Sequence, residues 1–257
     1  MKRNTNWERL LTLISPIIVL VTWEMLVRLG YLEPLFFPPP SVIARTLGQL
    51  IVSGELKGEL SATLRRIILG FGLGVIPGLV VGLMMGSSWK IRAFLDPLVS
   101  ATYPVPKITL LPLVMLIFGI GELSKIILVT IGCFYLMLIN SMAGVRNINP
   151  LYFEVAKNYG AGRLKTFFRV LLPGSLPVVF AGARLSLGIS LLLVVMVEFA
   201  SAQRGIGAMT WLAWQTLRTE RLYAGIIIIA LLGWTFTSLL QRLERILIPW
   251  GREVAGR

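Results

Sequence analysis

The sequence predicts an all-α protein that crosses a membrane with about six helices, and three observations lead there. The chain of 257 residues is 56% hydrophobic and only 14% charged, against about 25% charged residues in soluble domains. Its mean hydropathy is +0.80. Ile67 to Gly86, Ile126 to Val145 and Leu222 to Gln241 each run 20 residues without a charge, and roughly 20 helical residues cross about 30 Å of hydrocarbon. Lipid offers no partner to loose backbone groups, so such runs must be helices.

The same composition excludes several function classes. There is no histidine and a single cysteine, Cys133, in an apolar run. That removes histidine bases and ligands, and internal disulfides and thiolate clusters with them. The net charge of +13 is compatible with nucleic-acid binding, but the basic residues lie between apolar spans, where membrane proteins collect Lys and Arg on the cytoplasmic side. No nucleic-acid partner is expected.

The first span is read at 10–28. "MKRNTNWERLLTLISPIIVLVTWEML" has the basic start and apolar centre of a signal peptide, but no small-x-small cleavage site follows, so it is taken as an uncleaved helix. "PLFFPPPSVIARTLGQLIVSGEL" then predicts a helix capped by Ser41, with Val42, Ile43, Leu47, Leu50 and Ile51 at helical spacing, lying on the outer membrane surface. The second span, 64–86, carries Gly74, Gly78, Gly82 and Gly86 at small-x-x-x-small spacing, which lets helices approach closely. The pattern suits contact within the subunit or a dimer seam and does not choose between them.

The third span, 97–119, contains "YPVPK". Pro104 and Pro106 break the helix and free backbone groups, which must line a cavity or find protein partners. Lys107 there would attract an anionic solute, or snorkel to an interface. The fourth span, 124–145, holds Asn140 and Ser141, expected to hydrogen-bond a neighbouring helix, and Asn140 is kept as a pathway candidate. The fifth, 176–199, holds Arg184 near one end and Glu198 near the other. A charge in a membrane span is a functional candidate; the structural alternative pairs Glu198 with Arg204 or Arg65. "RGIGAMTWLAWQTLRTERLY" predicts a short amphipathic element, and the sixth span covers 222–242. Six methionines, Met84, Met85, Met115, Met137, Met142 and Met196, are read as packing.

Between the fourth and fifth spans, "EVAKNYGAGRLKTFFRVLLPGSLP" (154–177) breaks the apolar run. Tyr152, Phe153, Ala156 and Tyr159 recur at helical spacing, and Gly160 ends the helix in C-cap fashion. A second helix follows, which Pro173 and Pro177 interrupt. A helix, a glycine bend and a helix held at both ends by spans make a rigid knob, suited to docking a cytoplasmic partner. Lys and Arg at both ends of the chain, at Lys90 and Arg92, and through Arg146 to Arg169 outweigh those in the alternate segments. Both termini and this knob are therefore expected inside.

The knob resembles the EAA motif of permease subunits of bacterial ATP-binding-cassette importers: Glu-Ala-Ala, three residues, Gly, nine residues, Ile-x-Leu-Pro. Here it reads Glu154-Val155-Ala156, Gly160, then Val170-Leu171-Leu172-Pro173, with every spacing kept and two small apolar departures, Val155 and Val170. The resemblance extends over roughly residues 60 to 250 through "RRIILGFGLGVIPGLVVGLMMG", "LDPLVSATYPVPKITLLPLVMLIFGIGELSK" and "AGARLSLGISLLLVVMVEFASAQRGIG", and it points to the nitrate/sulfonate/taurine branch.

The resemblance implies a type I importer permease fold and a set of partners. Those are two copies of a cytoplasmic ATPase, a second permease copy in a homodimer, a periplasmic or lipid-anchored binding protein, and bacterial inner-membrane lipid. Glu154, Val155, Ala156, Tyr159, Gly160, Ala161, Gly162, Val170, Leu172 and Pro173 would couple to the ATPase. Lys107, Asn140, Glu198, Pro104 and Pro106 would line the pathway or gate. The chain itself would bind no cofactor or metal and would not be an enzyme, since ATP and Mg would sit on the partner. The transported solute would be a small anion such as nitrate, taurine or an alkanesulfonate, with a neutral or heterocyclic nutrient as the alternative.

Three regions are expected: the first helix and outer-surface segment over 1–62, the permease core over 63–250 with the coupling loop at 146–175, and a cytoplasmic tail at 251–257. No G-x-x-x-x-G-K-[ST] phosphate loop is present. A secondary transporter would need ion-coupling carboxylates and usually an inverted repeat, and a membrane enzyme clustered His, Asp or Glu. Neither pattern is found.

Overall fold

The structure, a computed structural model, describes residues 5 to 252, with side chains described from 14 to 250. Lys2, Arg3, the side chains of Arg9 and Arg252, and the expected tail from 253 onward lie outside the described residues. Among the described residues the elements are helices alone. They run α1 (Thr5–Arg28), α2 (Pro40–Val52), α3 (Glu55–Ser87), α4 (Trp89–Thr102), a 3-10 turn (Lys107–Leu110), α5 (Leu111–Phe118) and α6 (Glu122–Arg146). Then follow α7 (Pro150–Asn158), α8 (Arg163–Thr166), a π-helical turn (Phe167–Leu171), α9 (Leu172–Ser201), α10 (Ile206–Gln215) and α11 (Thr219–Leu247).

Among the described residues four helices are long and apolar enough to cross a membrane: Glu55–Ser87, Glu122–Arg146, Arg163–Ser201 and Thr219–Leu247. They contain four of the six expected spans, and the expected 10–28 span is helical within α1. The expected 97–119 span is not one helix. Its two halves, α4 and Lys107–Phe118, are bent by 87°, because Pro104 and Pro106 each lack an N–H and clash with the preceding turn. Counting that pair as one span raises the number of candidates to five.

The axis of the bundle is α6, with α3 packed along one side and α9 along the other. Glycine makes the first contact possible. A Cβ at Gly74 would lie 2.5 Å from the Thr130 carbonyl oxygen, and one at Gly78 would lie 2.6 Å from that of Phe134. At Gly86 it would meet the Val145 Cβ at 2.6 Å. The glycine stripe therefore seats on α6 of the same chain rather than on a second copy. Gly78→Val is expected to destabilise the protein by about 1–3 kcal/mol, the usual cost of overpacking, because it meets the Phe134 and Leu138 backbone and the Met137 Cβ, none of which can swing away. A drop in Tm of the detergent-purified protein would show this, and an unchanged Tm would mean that the seam gives way.

On the other side of α6, Cys133 Sγ donates to the Ser186 carbonyl of α9 at 3.4 Å, and Ser186 Oγ returns a bond to the Cys133 carbonyl at 3.3 Å. Asn140 and Ser141 behave differently from expectation. Asn140 donates to Leu136 of its own helix at 2.8 Å and packs over Gly182 of α9. Ser141 Oγ is buried without a partner. The polar link across this seam is made instead by Cys133 and Ser186, whose backbones approach closely enough for short side chains to reach the facing carbonyls.

At the ends the sequence is partly overruled. Ser41 does not cap α2 with its side chain. Glu24 of α1 takes that place, accepting the Ser41 N–H at 3.0 Å and the Ser41 hydroxyl at 2.7 Å. A carboxylate is the stronger partner for a helix N-terminus. The apolar face of α2 is covered by protein. Ile43 and Leu50 are buried in a cluster with Ile206 and Met209 of α10 and Ala224 and Ile228 of α11. α10 is not amphipathic as expected: Ile206, Met209, Thr210 and Ala213 are buried, while Trp211, Leu212 and Trp214 on the uncovered side are themselves apolar.

Candidate functional site

Three features carry chemistry or exposed surface beyond ordinary packing, and the first is the 146–175 segment. Asn149 accepts the Leu151 N–H at 2.9 Å and Pro150 sits in the first turn, so α7 starts on an Asx cap followed by proline. It ends on Gly160 at φ +67°. The Gly160 N–H reaches the Lys157 carbonyl at 3.0 Å and the Ala161 N–H reaches that of Ala156 at 2.9 Å, which is a Schellman closure. The expected helix, glycine bend and second helix are all present.

The second helix departs from expectation, since Pro173 and Pro177 do not interrupt it. Arg163 to Ser201 runs on as one helix of 39 residues. The π-helical turn takes up the irregularity just before Pro173, where the Leu172 N–H bonds five residues back to Phe167. Such turns absorb a local misfit inside a continuous helix.

This segment has a fixed base and an uncovered face. Phe153, Phe167, Leu171 and Leu172 pack with Leu83 of α3 and Val145 of α6. Opposite them Tyr152 is 63%, Tyr159 85%, Leu164 74% and Phe168 57% exposed. Glu154, Val155 and Gly162 are exposed as well, while Ala156, Ala161, Val170 and Pro173 are half-buried. Lys157, Arg163, Lys165 and Arg169 are exposed around this face. Large exposed apolar side chains inside a basic rim mark a contact surface.

The second feature is the elbow between α4 and α5, where Pro104 and Pro106 are exposed and Lys107 is half-buried. Lys107 Nζ donates to the carbonyls of Thr102 at 2.8 Å and Tyr103 at 3.0 Å. It lies 4.3 Å from the centre of the Tyr135 ring of α6. The freed carbonyls at the end of α4 thus find a cation. Beside them is a cavity of about 380 Å³, walled by Val105, Leu110, Ile131, Phe134, Tyr135 and Lys107 itself.

The third feature is a buried charge cluster, at the end of the bundle away from the 146–175 segment. Arg66 is 2% exposed. Its Nε and Nη2 hold Glu122 of α6 at 2.8 and 2.5 Å, while Nη1 donates to Glu198 at 2.6 Å and to the Arg204 carbonyl at 2.7 Å. Glu198 also accepts from Thr63 Oγ1 at 2.8 Å and from the Gly207 N–H at 2.7 Å. Thr63 Oγ1 in turn accepts the Ile206 N–H at 2.8 Å, and Glu59 accepts the Gly205 N–H. The N-terminus of α10 is therefore capped entirely from α3 and α9.

Glu198 is paired, as the structural alternative held, but its partner is Arg66 and not Arg65 or the Arg204 side chain. Arg65 is exposed, about 100° round the helix from Arg66. Sequence reasoning missed Thr63, Arg66 and Glu122. The available signal was Glu59, Thr63 and Arg66 at i, i+4 and i+7, a polar stripe on one face of an apolar helix. Arg184 also finds a carboxylate, Glu244 of α11. Among the described residues no group of His, Cys, Asp or Glu could hold a metal ion.

Comparison with known proteins places this geometry among relatives. Residues 78–252 match the family model described as "Binding-protein-dependent transport system inner membrane component". The chain is 36% identical over 244 residues to a Bacillus subtilis (strain 168) protein, SsuC, assigned as an aliphatic sulfonates transport permease. That match covers 95% of this chain and 88% of the relative. It is 35% identical over 242 residues to the taurine transport system permease protein TauC of Escherichia coli (strain K12), covering 92% and 88%. Among solved structures, an inward-facing form of the MetNI methionine ABC transporter superposes with a TM-score of 0.65 at 20% identity, covering 75% of this chain and 95% of that one. The last likeness shows a shared fold.

Proposed function

Because the chain belongs to the family of binding-protein-dependent transport system inner membrane components, we propose that it is the permease of an ATP-driven importer for small organic sulfonates such as taurine. Membership makes it a multi-pass membrane transport subunit and not an enzyme. The observation that carries the rest of the reading is the exposed apolar face of the 146–175 segment on its packed base. A membrane protein that exposes Tyr159 and Leu164 at the tip of a structured loop requires a partner to cover them.

That partner is a cytoplasmic ATPase, present in two copies beneath a permease homodimer and carrying the ATP and Mg. Glu154, Val155, Ala156, Tyr159, Gly160, Ala161, Gly162, Val170, Leu172 and Pro173 form the handle on which it pulls. The excess of Lys and Arg in the loops supports a cytoplasmic handle and cytoplasmic termini, with the charge cluster then at the outer end. There Glu198 anchors α10 and does not itself bind solute. A binding protein outside the inner membrane delivers the solute. The names of the two relatives at 35–36% identity support a sulfonate, and the family assignment displaces a secondary transporter.

Purification with a cassette ATPase, followed by reconstitution in lipid, tests both parts. The expected result is stable co-elution and an ATPase rate raised several-fold by a binding protein loaded with taurine or an alkanesulfonate. Failure to co-elute would overturn the handle. Stimulation only by a protein loaded with a neutral heterocycle would overturn the substrate class.

A further inference from the structure

We propose that the cavity between the α4–α5 elbow and α6 is an anion subsite, in which Lys107 receives the sulfonate head of the transported solute and the apolar wall receives its tail. This rests on the importer reading above and names where the solute's charge is met.

The argument begins from charge balance. Arg66 has Glu122 and Glu198, Lys125 has Glu122 at 3.8 Å, and Arg184 has Glu244. Lys107 has no carboxylate among the described residues. Its ammonium is held by two neutral carbonyls and the face of Tyr135. These fix its position and leave its charge unmatched. An unmatched charge at membrane depth is costly, and an anion brought beside it is stabilised far more than in water.

The surrounding groups narrow the ligand. The Thr102 hydroxyl already donates to the Leu98 carbonyl at 2.6 Å and accepts from the Tyr135 hydroxyl at 2.7 Å. The Thr130 hydroxyl donates to the Ile126 carbonyl at 2.9 Å. The hydroxyl protons around the cavity are therefore committed, and the third N–H of Lys107, which faces only the Tyr135 ring, is the donor that a guest anion would draw away from it. One charged donor among apolar walls recognises a negative head without a fixed pattern of acceptors. A volume of about 380 Å³ lies within the range of small-molecule sites. Val105, Leu110 and Ile131 would take an alkyl chain. The class is thus a small monoanion with a short tail, its identity set by charge more than by shape.

Equilibrium binding of radiolabelled taurine and butanesulfonate tests this, on the permease–ATPase complex in nanodiscs with the binding protein omitted. Cytosine serves as the neutral comparison. The wild-type complex is expected to bind both anions and to prefer them to cytosine. Lys107→Met should weaken anion binding about ten- to a hundredfold, the value of a charge-assisted bond, and Lys107→Arg should keep the larger part of it. Ile131→Trp, which fills the cavity while leaving the lysine in the chain, should abolish anion binding and covers the case in which Lys107→Met fails to fold. Wild-type affinity in Ile131→Trp or a folded Lys107→Met variant would overturn the subsite, as would a wild-type complex that binds neither anion or prefers cytosine. Co-elution of the ATPase is read in the same samples, so loss of the importer reading is seen separately from loss of the subsite.

Discussion

Arg66→Ala is expected to destabilise the protein by roughly 3–5 kcal/mol, the cost of breaking a buried ion pair from one side. The side chain is sealed from solvent and makes four hydrogen bonds, to Glu122, Glu198 and the Arg204 carbonyl. Without it Glu198 is left sealed from solvent with only Thr63 and one backbone N–H to hold its carboxyl group. Glu122 suffers less, since its side chain is 39% exposed. The double variant Arg66→Met, Glu198→Gln removes both buried charges while leaving an oxygen for the Gly207 N–H. It should recover more than half of the loss. The midpoint of thermal unfolding in detergent, with the yield of monodisperse protein, measures both. A single variant as stable as wild type would remove the cluster from the account, and a double variant no better than the single would show that charge pairing is not what holds it.

Gly160→Pro is expected to reduce substrate-stimulated ATPase activity and uptake in proteoliposomes at least tenfold while the spans stay folded. Proline is locked near φ −65°, whereas Gly160 stands at +67°, and its N–H closes the turn on Lys157. Proline also drives the residue before it out of the helical region, and that residue is Tyr159. The exposed face would be re-aimed while its base on Leu83 and Val145 stays in place. Gly160→Asn, which tolerates the left-handed region, should keep most of the coupling. Full uptake by Gly160→Pro would mean that the bend does not carry the ATPase's pull.

What was legible in the sequence was whatever depends on local spacing. The apolar runs located the long helices, and Glu154, Gly160 and Pro173 located the knob, because a cap and a bend are built from neighbours. The elbow was half legible: Pro104 and Pro106 announced a break, but the 87° turn depends on α4 packing against α3 while α5 packs against α6. The glycine stripe announced close approach without its partner, since Gly78 and Phe134 meet only after folding. Arg66 was illegible for the same reason, its two carboxylates lying 56 and 132 positions away. Ser41 misled because a competing acceptor, Glu24, stands 17 residues upstream. Pro173 and Pro177 misled because a helix can shift its bonding by one residue and continue.

That shift gives the helix from Arg163 to Ser201 a register that hangs on a single amino acid. In an α-helix each residue adds about 100° of rotation and 1.5 Å of rise. Five residues between Phe167 and Leu171 fill a turn that four would nearly close. The compass bearing of Leu164 and Tyr159 relative to Glu198, about 50 Å away along the rod, is therefore set by one surplus position. A lineage that lost it would keep the spans, the glycine seam and the charge cluster intact, yet present a different side of the knob to the cytoplasm. Partner choice in such a lineage would change by rotation, with no exposed side chain replaced.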